Sequence, residues 1–82
     1  MSPGLRRLYS PRSVRVETSP GGAPAAVDGN AVDDVREEWV VEDRWWEPKP
    51  LRRLYFELAL VDGRAIVVFR SALSRRWYRQ RA

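Results

Sequence analysis

The chain has 82 residues, with fourteen arginines to one lysine, no histidine and no cysteine. A chain this short buries only about 60% of the surface its unfolded form exposes, so it supports one small domain and no separate catalytic one. Without histidine or cysteine, Ser-His-Asp and Cys-His catalysis, thiol redox chemistry, disulfides and Cys/His zinc sites are excluded, which leaves carboxylates as the sole protein ligands for a metal.

Residues 1–12 contain Pro3, Gly4 and Pro11 with no sustained periodicity and read as a flexible arm, leaving 13–82 as the domain. Val14, Val16 and Thr18 alternate with Arg15 and Glu17, the period of a half-buried strand. Ser19-Pro20-Gly21-Gly22 is a turn cluster. With those four as the loop, Thr18 faces Ala23, Val16 faces Ala25 and Val14 faces Val27, which predicts a hairpin with one apolar face. Pro24 lacks an amide hydrogen, so its strand is expected at a sheet edge.

Asp28-Gly29-Asn30 is the next turn signal. Val35, Trp39 and Val41 then alternate with Arg36, Glu38 and Glu42, with Glu37 interrupting the apolar side. A strand is preferred over a helix because Trp39, Val40 and Val41 are good strand formers. Pro48 and Pro50 impose an extended break.

Leu54, Phe56, Leu58 and Leu60 alternate with Tyr55, Glu57 and Ala59, and Asp62-Gly63 follows as a two-residue hairpin loop. In that register Leu60 faces Ala65, Leu58 faces Val67 and Phe56 faces Phe69. The opposite face pairs Tyr55 with Arg70, Glu57 with Val68 and Ala59 with Ile66. It is apolar only near the turn, and a closed barrel, a second layer or a homodimer contact would cover it. A last strand around Trp77 and Tyr78 runs antiparallel to the one from Ala65 to Arg70. No internal repeat or low-complexity segment is evident. About six short strands and no helix predict an all-β fold, a small antiparallel barrel or strongly curved sheet.

The net charge of +4 is unevenly spread. Residues 1–27 carry +3, residues 28–47 carry −6 and residues 48–82 carry +7. Such asymmetry bears on partners rather than on fold. The longest apolar run, Ala65 to Phe69, falls far short of the roughly 20 residues a membrane helix needs. No apolar stretch follows the charged start to form a secretory signal. A cytoplasmic protein with no membrane contact is expected, nucleoid association included.

The ordered set Trp39, Trp45-Trp46, Arg53 with Tyr55, Asp62-Gly63-Arg64 and Trp77-Tyr78-Arg79-Gln80 resembles the C-terminal domain of ImuB-type proteins, the inactive Y-family DNA polymerase homologues of bacterial mutagenic repair. It is also similar to free-standing small bacterial domains of unknown function. Leu8-Tyr9-Ser10-Pro11 and Val14-Arg15-Val16-Glu17 match the start of that unit, so the resemblance covers nearly the whole chain. The loop Ser71-Ala72-Leu73-Ser74-Arg75 departs from it, lacking an acidic residue at Ser71 and a glycine near Arg75. The resemblance implies a non-enzymatic accessory role in error-prone, translesion DNA synthesis, by docking on polymerase-type repair proteins or on DNA.

The residues themselves point to a binding surface. From Arg64 to Ala82 there are six arginines and no acid, interleaved with Trp77 and Tyr78. Arginine pairs bidentately with phosphate, and aromatic rings stack unpaired bases. The candidate contact residues are Arg52, Arg53, Arg70, Arg75, Arg76, Trp77, Tyr78, Arg79, Arg81 and Trp46. The bland alternative makes Trp77 core, Tyr78 half-buried and the arginines a solvated face. A stand-alone nucleic-acid-binding barrel is the alternative function. No cofactor is expected, and the acidic residues from Asp33 to Asp43 read as a solvated face or as partners for the arginines.

Overall fold

A computed structural model describes residues 11–43, 51–72 and 74–80. Its strands are β1 (Arg12–Val14), β2 (Val16–Thr18), β3 (Pro24–Val27), β4 (Asn30–Asp43), β5 (Leu51–Leu60), β6 (Ala65–Ser71) and β7 (Trp77–Arg79). They form one antiparallel sheet in the order β1-β7-β6-β5-β4-β3-β2. The two ends of that order, β1 and β2, belong to one segment interrupted only at Arg15. One half of the segment pairs with β7 and the other with β3, which curls the sheet into a nearly closed small barrel. The expected all-β barrel is therefore the fold.

The corner at Arg15 is tied to the β3–β4 turn. The Arg15 amide donates to Asp28 Oδ1 at 2.9 Å, and the Asp28 amide donates back to the Arg15 carbonyl at 2.7 Å. Asp28 and Gly29 both have positive φ, 49° and 83°, as the central pair of a type I′ hairpin turn requires. The first hairpin departs from its expected register. Val16 faces Val27 rather than Ala25, and Thr18 faces Pro24 across a bulge, while Val14 leaves β3 and faces Trp77 on β7. A connection longer by one residue, closed by the Ser19 amide donating to the Ala23 carbonyl at 2.8 Å, moves Thr18 onto Pro24; the bulge adds the second residue at Val16, and the corner at Arg15 carries Val14 to β7. β3 is not an edge strand. Pro24 is tolerated because the short β3–β4 ladder involves only Ala26 and Val27.

The β5–β6 hairpin also differs, by one residue. The Gly63 amide donates to the Leu60 carbonyl at 2.9 Å, and the Leu60 amide donates to the Arg64 carbonyl at 2.8 Å. Val61, Asp62 and Gly63 thus make a three-residue loop, with Gly63 at φ 94°. The Asp62 carboxylate braces it, accepting from the Arg64 amide at 3.0 Å and from Arg64 Nε at 2.8 Å. Leu58 consequently faces Ile66, Phe56 faces Val68 and Tyr55 faces Phe69. A one-residue slip moves every β6 side chain to the other face. Val68 enters the core and Phe69 leaves it.

β4 carries register shifts at Val32/Asp34 and Val35/Glu37. The interruption by Glu37 in the apolar pattern is the trace of the second. Val35 packs against the core, whereas Trp39 and Val41, past the bulge, share the opposite face. The core comprises Val27, Phe56, Leu58, Leu60, Ile66, Val68 and Trp77. Leu58 and Val68 are completely buried at its centre.

Candidate nucleic-acid interface

The loop joining β6 to β7 and the corner between β1 and β2 meet over one end of the barrel. Arg75 and Arg76 stand exposed on that loop. Its backbone is held by the Ser74 amide donating to the Ser71 carbonyl at 3.1 Å and the Arg76 amide donating to Ser74 Oγ at 3.0 Å. Arg15 projects from the corner opposite, exposed. Between them lie two shallow concavities of about 400 and 320 Å³. Arg15, Arg70, Arg75 and Arg76 contribute to their walls, Trp77 lines both, and among the described residues no acidic side chain lines either.

Arg70 is positioned differently from the other three. Its guanidinium carbon lies 5.6 Å from the centre of the Trp77 ring, and Nη1 makes long contacts, 3.4 Å each, to the carbonyls of Ser71 and Ser74. A cation held over an aromatic face in this way is worth about 0.5–1 kcal/mol at an exposed site. Trp77 itself is 7% exposed and packs in the core, with its ring 5.6 Å from that of Phe56. The expectation that it stacks a base therefore gives way to a supporting role: it forms the floor on which Arg70 rests.

The other sequence-predicted residues are dispersed. Arg52 pairs with Glu42, Nη2 to Oε2 at 2.6 Å, with both side chains about half exposed. An exposed pair of this kind contributes roughly 0–1 kcal/mol. Arg53 lies over the Phe69 ring at 5.7 Å. Arg79 faces Arg12 across β1–β7, and with Glu57 these two line a third concavity of about 460 Å³ whose charge is mixed. Tyr78 is half-buried on the sheet's outer face. Arg81 and Trp46 lie outside the described residues, as does Trp45.

Sequence reasoning missed an aromatic row across the outer face. Trp39, Tyr55, Phe69 and Tyr78 sit directly opposite one another on β4, β5, β6 and β7. Successive ring centroids are 5.3, 4.9 and 5.6 Å apart, with interplanar angles of 11°, 23° and 29°. Pairs of this kind add about 0.5–1.5 kcal/mol each beyond area burial. The rings of Tyr55 and Phe69 are each stacked between two neighbours, so the row braces the sheet, and Trp39 at its β4 end is exposed. A three-residue loop aligns Tyr55 with Phe69 from the sequence alone, whereas the places of Trp39 and Tyr78 depend on the registers of β4 and β7.

Among the described residues no group of three or more acidic side chains gathers to hold a metal ion. Nor is any helix among them long and apolar enough to cross a membrane. No protein-family model, no curated protein and no solved structure matches this chain.

Proposed function

We propose that this chain is a non-enzymatic accessory module of bacterial DNA repair and error-prone DNA synthesis that docks on DNA through the concavities at the β6–β7 loop. The observation carrying the reading is the convergence of Arg15, Arg70, Arg75 and Arg76 from two separate segments onto a surface that no acid lines among the described residues. The repair setting rests on the sequence resemblance, and the nucleic-acid contact rests on this basic surface. Guanidinium groups spaced along a shallow groove suit backbone phosphates, which position a protein without reading sequence.

Affinity of this origin falls with salt through counterion release. Three to four phosphate contacts on single-stranded DNA imply a roughly 20- to 50-fold loss between 50 and 200 mM salt. Titration of labelled single-stranded and duplex DNA at those two concentrations measures it. The double substitution Arg75→Glu with Arg76→Glu should abolish binding while leaving the thermal transition in place, because both side chains are exposed. Binding that persists in that variant, or no binding even at low salt, overturns the DNA contact. Capture of purified mutagenic polymerase subunits by a variant that has lost DNA binding would keep the repair setting and move the contact to protein.

A further inference from the structure

β4 is the longest strand and its two edges are paired unequally. β5 covers one edge from Val32 to Asp43. β3 reaches only Asn30 and Ala31 on the other, so among the described residues no strand pairs with that second edge from Val32 onward. The open stretch carries Trp39, Val40 and Val41, three of the four large apolar side chains that are exposed among the described residues. A long, apolar, unpaired edge is a template for a further strand. A second β4 paired antiparallel about Val40 would set Glu38 against Glu42, and like charges directly opposite are destabilising. The acidity of the strand calls for a basic partner.

The β5 side shows which sequence satisfies this stretch. Leu51, Arg52, Arg53, Leu54 and Tyr55 oppose Asp43, Glu42, Val41, Val40 and Trp39 in turn. Arg52 bridges Glu42, and Tyr55 stacks on Trp39. The absence of an internal repeat holds only at domain-building lengths: the same pentapeptide, Leu-Arg-Arg-Leu-Tyr, stands at residues 5–9, which lie outside the described residues. We propose that Leu5 to Tyr9 of a second copy add as a strand to the open edge of β4, so that two chains associate by reciprocal strand exchange. In the register that β5 uses, Arg6 falls opposite Glu42, Leu8 opposite Val40 and Tyr9 opposite Trp39. Side chains on a strand share their faces with both neighbours, so Tyr9 then continues the aromatic row as a fifth ring.

Reach decides between the chain's own β4 and that of a second copy. Arg12, Arg79, Val68, Phe56 and Glu38 form one cross-strand row. Its four steps of about 4.8 Å put Arg12 roughly 19 Å from Glu38 along the sheet, and the interior of the barrel is filled by core side chains. Tyr9 precedes Arg12 by three residues, which span at most about 11 Å. The segment cannot wrap to its own β4 edge.

Light scattering and sedimentation of the full chain over a range of concentrations should show a concentration-dependent dimer. Leu8→Pro removes an amide and locks φ, and should raise the dissociation constant about tenfold or more without altering the far-ultraviolet circular dichroism. Because the chain has no cysteine, Leu8→Cys and Val40→Cys chains mixed under mild oxidation should give a mixed disulfide. A monomer at every concentration overturns the proposal. So does a Val40→Cys homodisulfide that outcompetes the mixed one, or a doubly substituted chain that closes its disulfide internally as a monomer.

Discussion

Val67 and Val68 are adjacent, chemically identical and turned to opposite faces, and their truncation tests the register of the β5–β6 hairpin. Val68 is completely buried against Phe56 and the rest of the core. Val67 is half-buried opposite Glu57. Val68→Ala removes two buried carbon groups at about 0.8 kcal/mol each, and the cavity left behind adds to that loss. A cost of roughly 2–3 kcal/mol follows, against a total stability of about 4–12 kcal/mol for a domain of this length. Val67→Ala should cost less than about 1 kcal/mol, since its face stays partly wet before and after truncation. In urea melts at 25 °C the Val68 variant should lose about 2 M in midpoint, with an unchanged slope near 1 kcal/mol/M. Its thermal midpoint should fall by about 10–20 °C. A two-residue Asp62-Gly63 loop would instead put Val67 opposite Leu58 and Val68 opposite Glu57. Equal losses, or a larger loss for Val67→Ala, would therefore refute the three-residue loop and every face assignment on β6 that depends on it.

The hairpin loop also has a pH signature. The hydrogen bond from the Arg64 amide holds the Asp62 carboxyl below the usual aspartate value of 3.8, helped by the Arg64 side chain and opposed by slight desolvation. Because the folded value is the lower one, the carboxylate stabilises the loop in full above 3.8 and loses that effect as pH falls through the folded value. Asp62→Asn should thus lower the thermal midpoint at neutral pH, with the gap from the parent closing on acidification; a gap independent of pH would contradict the assignment. At the barrel corner, Asp28→Ala removes the acceptor for the Arg15 amide and leaves a β-carbon at positive φ. A loss of roughly 1–2 kcal/mol is expected, measured by urea melts. Asp28→Asn keeps both an acceptor and tolerance for that φ, and should cost clearly less.

The alternation of Leu54, Phe56, Leu58 and Leu60 shows which face of β5 is buried, and all four pack on or against the core. The turn signals at Ser19–Gly22, Asp28-Gly29 and Asp62-Gly63 were equally legible. Their geometry was not. Asp-Gly occurs twice, once as a two-residue type I′ turn and once inside a three-residue loop. The same dipeptide serves both because each loop accepts a glycine at positive φ. The candidate site divided in the same way. Exposed Arg75 and Arg76 were readable from a basic, acid-free segment. Arg15 was not, because its neighbourhood with the β6–β7 loop depends on contacts between residues some sixty positions apart in the chain.

The sequence by itself determined an all-strand chain, the acidic character of β4 and the arginine-rich end, because strand periodicity and charge are properties of neighbouring residues. The tertiary structure alone decided how those pieces meet. The bulges of β4 turn Trp39 away from the core that Val35 enters, a loop longer by one residue exchanges Phe69 for Val68, and the corner at Arg15 lets one segment close both edges of the sheet. Each depends on which distant amide meets which carbonyl. The period of two leaves that choice open, because a strand presents the same alternation in every register.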